Sequence, residues 1–217
     1  MKITHTDILW SKTLPEYTQF QEMVIEGINV PNQPLHCLEF GIGNADTSLC
    51  LLQAYPEARL SIVDEDARAL ETAYANFPID LQNRTHTIQS LFQDYQTTET
   101  FNVCISALSM HYLKRSEQLQ LFEKIYNLLT DNGVFVLGDL IKSEDFDYQM
   151  STNMLYDSHR ESTLSEKEKD AFFSHVTTDS YYFYQLTDIM NWLRDTGFKA
   201  VDLTWSHRSL AVIRAVK

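Results

Sequence analysis

Apolar positions recur at helical spacing across residues 14–28 (LPEYTQFQEMVIEGI), with Pro15 where a first turn tolerates proline, so the pattern predicts a helix there. Asn29 to Pro34 break it. His36 to Phe40 is a short apolar run leading into glycines and reads as a buried strand. Thr47 to Tyr55 follows as a helix stopped by Pro56. Leu60 to Val63 predicts a second strand, and Ala67 to Phe77 a helix that ends before Pro78. Thr85 to Ile88 carries a weaker strand signal, and Phe101 to Ser106 (FNVCIS) a strong one. Glu117 to Leu129 is amphipathic at helical spacing, and Val134 to Ile141 predicts a fifth strand. Between them, Asp131-Asn132-Gly133 reads as a turn, with Gly133 suited to positive φ.

Short buried strands alternating with helices argue for βαβ units and a parallel sheet covered on both faces. After Lys142 the character changes, and residues 143–184 are polar and aromatic-rich, without a run that would join the sheet. Leu186 to Thr196 predicts a helix closed by Gly197. Ala200 to Thr204 and Leu210 to Val216 are then separated by too few residues for a helical crossover, so they should pair antiparallel. The expected fold class is α/β, a three-layer sandwich. Its seven-stranded, mostly parallel sheet ends in an antiparallel C-terminal hairpin and carries a helical lid insertion. The organisation read from this is a single domain over 1–217, with 1–30 as an N-terminal helical lid and 143–184 as a substrate-covering insertion.

Apolar residues make up 44% of the 217, enough for a sizeable core, which excludes general disorder. The formal net charge of −13 argues against nucleic acid as a partner, because phosphate binding depends on Lys and Arg displacing counterions. No apolar run reaches the eighteen or more residues that cross a bilayer, and the N-terminus lacks the pattern of a signal peptide. Cys37, Cys50 and Cys104 are odd in number and widely spaced, fitting neither a disulfide framework nor a metal site. The expectation is a cytoplasmic protein without a membrane partner, and the sequence leaves room for a homodimer.

The most informative stretch is Leu38-Glu39-Phe40-Gly41-Ile42-Gly43-Asn44-Ala45-Asp46, running from the first strand into the first sheet helix. Ligands bind at this strand edge in doubly wound sheets. Gly41 and Gly43 allow a tight turn and a close approach to a guest. Asp64, at the end of the second strand, can accept two hydrogen bonds from a ribose diol, although an acid here also suits a helix cap. A dinucleotide site wants a small residue where Asp46 stands, since a carboxylate competes with a diphosphate for the helix amides. Glu39 adds negative potential. A ligand carrying an ammonium and a sulfonium suits this loop, and a phosphate does not.

These residues resemble the class I, Rossmann-like S-adenosylmethionine (SAM)-dependent methyltransferases. LEFGIGNAD is similar to their glycine-rich first motif, IVDEDARALETA to the second-strand acid and its helix, FNVCISALSMHYL to the fourth-strand motif, and YNLLTDNGVFVLGD to the turn before the fifth strand. LPEY resembles a lid segment of the ubiquinone/menaquinone-biosynthesis-like branch. The resemblance implies SAM as cofactor and S-adenosylhomocysteine as product. It sets Gly41 and Gly43 against the methionine portion, with Glu39 near its ammonium. It gives the ribose hydroxyls to Asp64 with Glu65 beside it, the adenine to Ser90 and Leu91, and the methyl end to Ser106. In this chain Ala45 replaces the third glycine, Ser90 the usual adenine-contacting acid, and Asn132 a turn glycine.

Methyl transfer is an in-line displacement on an activated donor, so the enzyme must mainly place the acceptor and exclude water. A base is required only where the acceptor has a proton to lose. His111 is the candidate base. Tyr17, Asp139, Tyr156, His159 and Tyr182 are candidates for the acceptor site, and no metal is expected. The expected function is transfer of a methyl group to a small-molecule acceptor. The alternatives are another SAM reaction, such as cyclisation or carboxy-SAM formation, and a non-catalytic SAM-binding subunit.

Overall fold

The computed structural model describes residues 10–30, 35–142, 165–168 and 181–217. The described residues begin with two helices, α1 (Trp10–Thr13) and α2 (Tyr17–Glu26). The first sheet units are β1 (His36–Phe40), α3 (Asp46–Ala54), β2 (Arg59–Asp64) and α4 (Ala67–Asn76). They are followed by α5 (Ile79–Gln82), β3 (Thr85–Gln89) and β4 (Phe101–Ala107). A 3-10 turn at Met110–Tyr112 leads to α6 (Arg115–Leu128) and β5 (Leu129–Leu140). The chain closes with α7 (Leu186–Thr196), β6 (Ala200–His207) and β7 (Leu210–Val216). The strands form one seven-stranded sheet in the order β3-β2-β1-β4-β5-β7-β6. β1 to β5 are parallel, and β7 runs antiparallel to both β5 and β6, as the short final connection requires.

Strand alternation divides the core into two layers. Cys37, Val134 and Val136 pack with Phe20, Val24 and Leu51 on one face, where α2, α3 and α4 lie. Leu38, Phe40, Phe135 and Leu137 pack with Phe122, Ile125, Trp192 and Leu193 on the other, beneath α6 and α7. Each fully buried Phe or Leu contributes about 1.5–3 kcal/mol, so both layers are firmly seated. The β5 backbone at Gly138 lets α2 come close: a Cβ there would stand 2.7 Å from Phe20 and 2.6 Å from Val24.

Several boundaries differ from the sequence expectation. The helix expected over 14–28 is α2, which starts only at Tyr17 after a turn at Pro15 and Glu16, and α1 precedes it. β5 begins at Leu129 rather than Val134, because Leu129 already pairs with Phe101 and the Gly133 carbonyl accepts from Lys217 N–H. Positive φ falls on Asn132 (φ 61°), not on Gly133; Asn is among the residues that tolerate this conformation. β6 extends to His207. Most of the expected insertion, including Tyr156 and His159, lies outside the described residues. Its end is fixed where Tyr182 N–H donates to the His111 carbonyl (2.7 Å) and Lys142 N–H to that of Tyr184 (2.8 Å). Among the described residues no helix is long and apolar enough to cross a membrane.

Candidate functional site

The turn between β1 and α3 runs through positive φ at Gly41 (91°), Gly43 (46°) and Ala45 (66°). Gly41 is crowded as well as strained: an added Cβ would stand 2.0 Å from the Ser109 hydroxyl, whereas one at Gly43 meets nothing within 4 Å. The first glycine is thus demanded by packing, and the second leaves backbone open to a guest. Ala45 keeps the left-handed conformation of the glycine it replaces, at a cost of about 1–2 kcal/mol.

Asp64 ends β2 facing the same turn. One carboxylate oxygen accepts from Ile42 N–H and the other from Asp66 N–H, both at 2.8 Å. The helix-capping role belongs to its neighbour: Asp66 accepts from Arg68 N–H (2.9 Å) and Ala69 N–H (3.1 Å) at the start of α4.

These elements enclose a cavity of about 410 Å³, within the roughly 300–1,000 Å³ typical of small-molecule sites. It brings together Tyr17, Gly41, Gly43, Asp64, Glu65, Leu91 and Tyr182 from the sequence-predicted set. Acidic side chains dominate the charged lining among the described residues: Asp46, Asp64, Glu65, Asp66 and Glu117 against Lys114. The loop after β3 supplies Phe92, whose ring meets Phe40 edge-on at 5.4 Å. Lys124 pins that loop, its ammonium donating to the carbonyls of Phe92 (3.0 Å), Gln93 (2.5 Å) and Tyr95 (2.8 Å).

Other predicted residues are placed elsewhere. Glu39 is 1% exposed and accepts from the Ser48 hydroxyl beneath the turn, rather than lining the cavity. Burial raises its carboxyl from 4.5 to about 8, against the opposing hydrogen bond from Ser48. Ser106 is fully buried and donates to the Phe40 carbonyl at 3.0 Å, tying β4 to β1. Ser90 donates to the Leu91 carbonyl (2.9 Å) and leaves the wall to Leu91.

His111 and Asp139 form a buried pair behind the cavity wall. The His111 Nδ1 lies 2.5 Å from Asp139, which also accepts from the backbone N–H groups of Met110 (2.7 Å), His111 (3.1 Å) and Leu140 (2.7 Å). The imidazole stacks on Tyr181 (4.9 Å, 8°) and lies edge-on to Trp10 (5.8 Å). Its Nε2 is buried and takes no hydrogen bond among the described residues. Neither residue faces the cavity; Tyr112, whose ring centroid is 4.3 Å from that of His111, lines it instead. Asp139 is needed by the turn after β4, and it draws the imidazole inward. Burial pushes the Tyr112 hydroxyl up to about 12, so it remains a neutral wall group.

Sequence reasoning missed Trp10, Gln21, Thr47 and Tyr112 as cavity lining, and used Asp46 only to exclude phosphate. Tyr17 donates to Asp46 (2.7 Å) and Thr47 to Gln21 (2.8 Å), so two side-chain bonds join α2 to the first turn of α3. Tyr17 and Gln21 are one turn apart, which was the available signal for a shared face. Among the described residues no group of three or more His, Cys, Asp or Glu is placed to hold a metal.

Residues 37–133 match a family model described as a methyltransferase domain. The carboxy-S-adenosyl-L-methionine synthase of Campylobacter lari is 21% identical over 204 residues, covering 90% of this chain and 83% of that protein. Among solved structures, the SAM-dependent methyltransferase SibL in its apo form superposes with a TM-score of 0.68 at 18% identity, over 93% of this chain and 55% of that one. Human N-acetylserotonin methyltransferase in complex with SAM gives 0.66 at 15% identity, over 98% and 53%. The chain therefore spans little more than half the length of these solved proteins, and at such identities the likeness concerns the fold. By sheet topology and superposition together, the chain shares the fold of these solved proteins, and its residues 37–133 are similar to a methyltransferase domain.

Proposed function

We propose that the protein transfers the methyl group of SAM to a small-molecule acceptor by in-line displacement, releasing S-adenosylhomocysteine. The observation that carries this reading is the cavity's acidic lining, with Asp64 on its wall beside the open backbone of Gly43. A ribose diol offers two donors to such a carboxylate. The surrounding acids favour a cation and repel phosphate groups, which supports SAM over a dinucleotide and a small acceptor over nucleic acid.

SAM brings an activated methyl group when bound. The chain's own residues would then bind, orient and exclude water. Asp64 and Glu65 hold the ribose side, and Leu91 with Phe92 forms an apolar wall for the base. Trp10, Tyr17, Tyr112 and Tyr182 cover the remaining side, where aromatic faces can shield a sulfonium. His111 and Asp139 fix Tyr112 and the 181–184 segment in position, and acceptor contact falls to the residues in front of them.

The curated relative supports a second reading, carboxy-SAM formation on the same cofactor cradle. That chemistry must hold an additional carboxylate, and Lys114 is the only basic lining residue among those described. Incubation with SAM and a metabolite extract separates the readings by product. Methyl transfer yields S-adenosylhomocysteine, and the alternative yields a carboxylated SAM. SAM binding with turnover of neither kind, across extracts of varied composition, contradicts both.

A further inference from the structure

We infer that Asp46 is the counter-charge for the cofactor's ammonium, the part that the family resemblance gives to Glu39. The assignment rests on the SAM reading and deepens it.

The two acids differ in their access to a ligand. Glu39 is sealed under the turn, engaged by Ser48, and held by burial close to its neutral form at pH 7. Asp46 is half-buried on the cavity surface. One of its oxygens accepts from Tyr17, and the other takes no hydrogen bond among the described residues. Its carboxylate therefore has free acceptor capacity directed by a fixed neighbour, in a partly desolvated wall where charge pairing is stronger than in water.

Topology places the cation at this end. β2 lies between β3 and β1 in the sheet. Asp64 is therefore flanked by the loop after β3 on one side and by the start of α3, after β1, on the other. The first side presents Leu91 and Phe92, an apolar surface suited to a planar base. The second presents Asp46, Thr47, Gln21 and Tyr17, a polar surface suited to an amino acid. A nucleoside whose ribose meets Asp64 and whose base meets Phe92 directs its 5′ substituent towards Asp46. The Tyr17 bond also couples recognition to α2, since the acid that meets the cation is the one that holds the tyrosine.

Calorimetric titration with S-adenosylhomocysteine and with methylthioadenosine, which lacks the amino-acid arm, tests the assignment. Asp46→Asn keeps an acceptor for Tyr17 while removing the charge. It should weaken S-adenosylhomocysteine binding by about 10- to 100-fold, the loss expected for a charge-assisted hydrogen bond, and methylthioadenosine binding by less than about threefold. Glu39→Gln at pH 7 should cost S-adenosylhomocysteine far less than Asp46→Asn does. Equal losses on the two ligands, an unchanged affinity in Asp46→Asn, or a larger loss in Glu39→Gln would each overturn the assignment while leaving SAM as the cofactor. A wild-type protein that binds neither ligand would remove the SAM reading and this inference with it.

Discussion

At the carboxyl end of β5, Asp139 accepts from three backbone N–H groups and one imidazole nitrogen, and that imidazole packs against Trp10, Tyr181 and Phe183. At the carboxyl end of β2, Asp64 accepts from the backbone N–H groups of Ile42 and Asp66 and lines the cavity. The two residues share a type and a position relative to their strands. They differ in what lies in front of them, the cavity for Asp64 and packed side chains for the buried Asp139. A carboxylate sealed in the core holds a turn together, and one on a cavity wall is within reach of a ligand. The same contrast separates Glu39 from Asp46 across the glycine turn.

The largest expected effect lies on the sealed side. Asp139→Ala leaves buried donors without a partner and should cost about 3–5 kcal/mol of stability, read from the urea midpoint. A cost below about 1 kcal/mol, the range of an ordinary surface substitution, would show that Asp139 is no more committed to the fold than Asp64.

Glu39 gives the next effect, through pH. Its folded value of about 8 lies above its ordinary 4.5, so between these values the folded protein holds a proton that the unfolded chain has shed. The associated stability is full below about pH 4.5 and is lost as pH rises towards 8, on the order of a few kcal/mol. Glu39→Gln should flatten that part of the profile, followed as the thermal midpoint from pH 5 to 9. Parallel profiles for the two proteins would contradict the buried, proton-holding state.

Asp64→Ala reads the open side. It should weaken SAM binding by about 1.5–3 kcal/mol, with a smaller loss in unfolding free energy for the two backbone bonds. Unchanged affinity by calorimetry would refute the ribose assignment.

Much of the fold was legible because its signals are local. Gly197 marked the end of α7, and the short Trp205–Ser209 connection fixed the hairpin's direction. The third strand was faint because β3 is an edge strand whose burial is only partial along its length. The early start of β5 was hidden because pairing from Leu129 onwards depends on β4 and the C-terminus, partners distant in sequence. In the site, the glycine turn and Asp64 were legible from spacing. Glu39 was placed towards the ligand, yet strand alternation already sets it on the Cys37 face, away from Leu38 and Phe40. The Tyr17–Asp46 and Gln21–Thr47 pairs could not be read, since they join residues 29 and 26 positions apart. His111 carried the right chemistry for a base, but its orientation depends on Asp139, 28 positions away.

The central claim is that the open edge between β1 and β2 receives adenosine joined to a cationic amino acid. Titration of the wild-type protein with S-adenosylhomocysteine and, separately, with a nicotinamide dinucleotide tests it most directly. The account predicts saturable heat with the first and none with the second. Heat from the dinucleotide alone would contradict it.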